Sequence, residues 1–135
     1  MILERENLIL ARLQAQITGI QIESFPEKAA EYNLKHPVGA ILLHYSGAKF
    51  GKNEGVIHVV QETELKWGIT LIVRNLRTQT GAYAYLDSIR AALTGYRPYD
   101  NYEVLYPLSE QFLSNDDNLW VFAVDFGHNM TMEQS

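Results

Sequence analysis

The chain has 135 residues, 47% hydrophobic and 20% charged, with net charge -5 and no cysteine. That composition is globular and not disordered, and a chain of this length buries about two-thirds of its unfolded surface without a staple. The missing cysteines exclude disulfides, thiolate nucleophiles and cysteine-rich zinc sites and suit a reducing cytoplasm, and basic residues spread from Arg5 to Arg97 without a dense run leave no footprint for direct nucleic-acid recognition.

Ile2, Ile9, Leu13, Ile17 and Ile20 recur at helical steps, with Arg5, Arg12, Gln14 and Gln16 largely off that stripe, so residues 2–18 are expected to form an amphipathic helix ended at Thr18-Gly19. Glu4, Arg5, Glu6 and Arg12 interrupt the same stretch, so neither a signal peptide nor a membrane span is expected there. An extended run over 20–25 stops at Pro26, which suits a short helical piece over 27–34. Residues 38–45 are apolar on both alternating faces, the pattern of an inner strand.

Gly47, Gly51, Lys52, Asn53 and Gly55 predict a hairpin loop over 47–55, followed by a β-branched strand run over 56–60. Leu65, Trp67, Ile69, Leu71 and Val73 then alternate with polar residues, as one long bent strand or as two strands broken near 62–64. Between 80 and 95 the period changes to helical, with Ala82, Leu86, Ile89 and Leu93 in step, Thr78 or Thr80 as a cap and Gly95 as the stop. Strand-like residues return at 102–106. Residues 115–118 read as a turn before an alternating strand over 119–126, and the tail from 128 or 129 to 135 is expected to be loose. One α+β domain over 1–135 follows: a mostly antiparallel sheet of two β-hairpins packed against two main helices.

No catalytic, metal or cofactor motif is complete. The four histidines form no H-x-x-x-H or H-E-x-x-H pair, although His44 and His58 could face each other across the first hairpin. The stretch from Gly47 to Asn53 has too few residues between its glycines for a phosphate loop and lacks the following Ser or Thr. No G-x-S-x-G elbow is present, and Asp116-Asp117 lacks the spacing of a calcium loop. Of the eight tyrosines, Tyr83, Tyr85, Tyr96, Tyr99, Tyr102 and Tyr106 cluster around the second helix and the strand after it, with Arg74, Arg77, Arg90 and Arg97 nearby, a composition suited to a subunit contact that includes Tyr96 and Arg97.

Residues 67–77, 81–96 and 119–126, with the order of elements and the chain length, resemble the tail terminator (tail-completion) proteins of tailed bacteriophages, the Mu-like contractile-tail type. The resemblance implies a structural virion protein at the head-proximal end of the tail, assembled in the host cytoplasm. It implies a homo-oligomeric ring, usually a hexamer, that binds the last ring of the tail-tube protein and stops polymerisation. The ring presents a surface to the neck or head-completion protein and touches the sheath in a contractile tail. No enzyme activity, cofactor, metal or membrane partner is expected. Lys49, Phe50, Lys52 and Asn53 in the first hairpin loop are the candidates for tube or neighbour contact, and Arg74 and Arg77 for pairing with an adjacent subunit's carboxylates. The other readings are a head-completion or neck connector, and a small metal-dependent enzyme built on His44 and His58.

Overall fold

The structure, a computed structural model, describes residues 2–29, 32–98 and 103–134, the side chains of 132–134 excepted. Among the described residues the main elements run in the order α1 (Ile2–Gln16), β1 (Gln21–Ser24), β2 (Gly39–Phe50), β3 (Val59–Val73), α2 (Ala82–Leu93), β4 (Tyr106–Asp116) and β5 (Leu119–Gln134). The strands form one sheet in the order β1-β2-β3-β5-β4, antiparallel except for the β1–β2 pair. The expected α+β class, with two hairpins and two helices, is therefore the observed one.

Both helices bury their stripes against the same face of the sheet. Ile9, Leu13 and Ile17 of the first helical segment and Leu86, Ile89 and Leu93 of α2 meet Ile41, Leu43, Trp67, Ile69, Leu71, Val124 and Phe126 in one core. On the opposite face Ala40 and Leu42 are also buried, and Phe25, just after β1, meets the His44 ring edge-on at 5.7 Å. Two apolar faces on β2 are what its unbroken hydrophobic run predicted for an inner strand.

Several local expectations change. Ile2 is exposed, and Arg5 takes the buried position four residues before Ile9, because Glu103 waits there to pair with it. Of the helical piece expected over 27–34, Ala29 lies in a 3-10 helical turn, its carbonyl accepting from Tyr32 N–H at 3.1 Å, while 27–28 are bends and 32–34 are not helical; residues 30 and 31 lie outside the described residues. Strand β2 runs through Gly47 to Phe50, so the loop is 51–58 and not 47–55. Val56 and Ile57 belong to that loop and not to a strand.

Strand β3 is unbroken across 62–64. Helix α2 starts at Gly81 without a side-chain cap: the carbonyls of Asn75 and Leu76 receive the Ala82 and Tyr83 N–H groups at 2.9 and 3.1 Å, so neither Thr78 nor Thr80 is needed. Its end is as expected, with Gly95 at φ 83° in the left-handed region.

The strand expected over 102–106 instead begins at Tyr106 and continues to Asp116; Tyr102 lies outside the described residues. The turn at 115–118 is a two-residue turn, Asp117 and Asn118 both at positive φ (53° and 62°), the geometry that matches the twist of a hairpin and that Asp and Asn tolerate. Residues 128–134, expected as a loose tail, are strand: β5 pairs with β3 all the way from Val73↔Trp120 to Val59↔Gln134.

Candidate assembly surfaces

The β3–β5 ladder outruns the helical layer. Burial alternates along β3 from Leu65 to Val73, whereas Val59, Val60, Gln61 and Glu62 lie open or half-open. With the distal end of β2 and the end of β5 they form a three-stranded arm projecting from the domain. Backbone pairing makes it a ladder and not a loop, since each antiparallel partner satisfies its neighbour's N–H and C=O groups.

The root of the arm is clamped on both faces. On the helix side, the guanidinium of Arg5 donates two hydrogen bonds to the Glu103 carboxylate, at 2.7 and 2.9 Å, with both side chains buried. His128 lies fully buried beside them, its Nδ1 3.4 Å from Glu103 but without hydrogen-bond geometry, and its ring stacked on Trp67 at 6.4 Å. Burial holds the His128 pKa below its ordinary value, with Glu103 opposing and Arg5 reinforcing that shift. On the other side, the Tyr106 hydroxyl donates to Glu64 at 2.7 Å; burial first, and then that carboxylate, push its pKa up to about 12, so it stays a neutral donor.

At the tip, loop 51–58 is closed by Asn53, whose Oδ1 accepts from Gly55 N–H at 2.9 Å and Val60 N–H at 3.0 Å. That closure turns the following β-branched pair outward: Val56 is 100% and Ile57 94% exposed. Phe50, 58% exposed, and the exposed Lys49 and Lys52 flank them. Lys49, Phe50, Lys52 and Asn53 thus gather on one feature, but Asn53 holds the loop's shape.

Arg74, Arg77, Tyr96 and Arg97 lie elsewhere. Arg74 follows β3 at the end of the ladder away from the tip, exposed, with a side-chain hydrogen bond of 3.3 Å to the His36 carbonyl. Arg77 is exposed over the Tyr83 ring at 5.8 Å. Tyr96 is half-buried under the Arg12 guanidinium, 5.0 Å from the ring centroid, while Arg12 also donates to the Ala92 carbonyl near the end of α2. Arg97 is exposed after that helix. The structure makes no single site of the eight.

His44 and His58 do not meet across the hairpin. His44 sits opposite Gly68, where a Cβ would come within 2.4 Å of the imidazole, and His58 lies in the tip loop. A side chain at 68 and the present His44 rotamer exclude each other. Among the described residues no group of three or more His, Asp or Glu side chains is placed to hold a metal ion, and no helix is long and apolar enough to cross a membrane.

A second surface was not foreseen. Strand β4 forms the outer edge of the sheet and leaves Leu108, Phe112 and Leu113 exposed. Phe112 packs its ring against Phe122 at 5.7 Å and Trp120 at 6.1 Å, an aromatic platform next to the Asp116-Asp117 turn. The sequence signal was Leu108, Phe112 and Leu113 set among the polar residues Ser109 to Gln111 and Ser114 to Asp116.

The model of the Gp37 protein family matches residues 9–134. A comparison with curated proteins finds no match.

Proposed function

The chain belongs to the Gp37 protein family, a family of phage proteins, and on that premise we propose that it is a structural virion protein that caps the end of the tail tube as a ring. The ring, a homohexamer, stops tube polymerisation at the head-proximal end. It meets the tail-tube protein on one side and the neck or head-completion protein on the other, and in a contractile tail it touches the sheath. It works by shape and contact, without catalysis or a cofactor.

The observation that carries this proposal is the arm, a stiff ladder clamped at its root that holds two fully exposed apolar side chains away from the core. Soluble domains rarely spend a rigid element on displaying apolar side chains unless a partner covers them. A head-to-tail contact closes into a ring when its rotation closes, and a capping ring must offer one face that the tube accepts and another that it does not.

Imaging the purified protein alone and mixed with tail tubes tests this. The expected result is a closed ring, alone or on the tube, seated at one tube end; a protein that stays monomeric and ignores tube ends sinks it. Co-purification with tails that lack heads distinguishes the terminator from a neck connector, which stays with the portal side.

A further inference from the structure

We propose that neighbouring subunits join head to tail, the apolar tip of one arm (Val56 and Ile57, flanked by Lys49 and Lys52) seating on the aromatic, acidic end of the β4–β5 hairpin of the next copy. This rests on the ring proposed above and names its contact.

The register of the sheet separates the two surfaces. Val59 beside the tip pairs with Gln134, and Val73 pairs with Trp120 of the platform, so the surfaces lie at opposite ends of the same ladder. At about 3.4 Å per residue they stand roughly 45–50 Å apart, beyond the reach of a tip folding onto its own platform. Two different patches on one molecule that satisfy each other only between copies define a heterologous contact, the kind that generates rings.

Their chemistry is complementary. The tip carries Val56, Ile57 and Phe50, and the platform offers Phe112, Trp120 and Phe122, with Leu113 exposed beside it. Lys49 and Lys52 flank the apolar tip, with Glu54 in the loop and Glu62 and Glu64 across the ladder from Gly51 and Lys49, whereas residues 106–119 carry Asp116 and Asp117 at the turn, Glu110 paired with Arg90 of α2, and no lysine or arginine. The bias is wider than the hairpin, because no lysine or arginine follows Arg97 anywhere in the chain. Among the described residues, none of Lys49, Lys52, Asp116 or Asp117 is engaged in an ion pair. An apolar centre with a charged rim of opposite sign is the arrangement that gives both contact energy and register.

The seating is through side chains and not by strand addition. Strand β4 is an edge, but Pro107 and the irregularities at Leu108 and Leu113 interrupt its regular pairing and blunt it as a template for another strand. The same irregularities leave the two leucines exposed.

The test is a charge swap read by native mass spectrometry and imaging. Lys49→Glu/Lys52→Glu makes the tip acidic, and Asp116→Lys/Asp117→Asn makes the platform basic. All four positions are exposed, so thermal melts within a few degrees of the parent are expected. Each variant alone is expected to self-associate at least about tenfold more weakly, and an equimolar mixture to restore the ring with the two variants alternating. Variants that each assemble like the parent, or a mixture that stays dissociated, overturn the docking while leaving the ring of the parent standing. A tip variant that keeps its ring but loses the tube end assigns the tip to the tube and also overturns it. A parent chain that forms no ring, free or on tubes, removes the ring itself.

Discussion

The two halves of β3 belong to the same strand and do different work. From Leu65 to Val73 its alternate side chains, Trp67, Ile69 and Leu71 among them, are almost wholly buried under the helices, and this half supplies the core. From Val59 to Glu64 the strand carries polar and β-branched residues, open or half-open except for the buried Thr63, paired to Thr131 and Asn129 across β5 and held there by contacts such as Thr131 donating to Glu62 at 2.7 Å. The first half takes its order from hydrophobic burial and the second from the continued backbone ladder and the clamps at its root. Substitution in the first half therefore threatens the fold, while substitution in the second changes what the surface meets.

The largest separation between the halves is expected for Trp67→Ala, which empties the middle of the core and costs about 3–5 kcal/mol in denaturant unfolding. Glu103→Ala comes close behind at about 3–5 kcal/mol, because it leaves the Arg5 guanidinium buried without its carboxylate. Its effect reaches the arm, so amides of 60–64 should exchange faster in that variant than in one destabilised equally in the core.

Stability also depends on pH through His128. Its folded pKa lies below the ordinary value of about 6.5, so the unfolded chain binds the proton more readily; the contribution is complete above that value and is lost as pH falls toward the folded pKa. Unfolding midpoints measured on either side of that window should show it, and His128→Asn should remove that component of the slope. The smallest effect on stability, within about 0.5 kcal/mol, is expected for Val56→Ser/Ile57→Ser at the fully exposed tip. The same pair should nevertheless lose assembly, and a variant that assembles normally would break the division between the halves.

What the sequence disclosed follows the same division. The stripe of Ala82, Leu86, Ile89 and Leu93 and the alternation from Leu65 to Val73 were legible because burial imposes a period on apolar residues. The strand after His128 was not, since the exposed Asn129 and Thr131 and the half-buried Met130 carry no apolar alternation. Strand β4 was hidden by the irregularities at Leu108 and Leu113, which shift the register twice within one strand. Val56 and Ile57 looked like strand residues, and only the closure of the loop by Asn53 and by Glu54 N–H donating to the Val60 carbonyl at 2.8 Å turns them out. Arg5 on an apolar stripe is explained by Glu103, a partner 98 residues away that no local pattern reveals.

The proposed capping role is tested most directly by tube length when tail-tube protein polymerises with and without this chain. Tubes that stop growing at one end, each carrying a single ring of this protein there, are the predicted result. Tubes that elongate unchanged at both ends in its presence would contradict it.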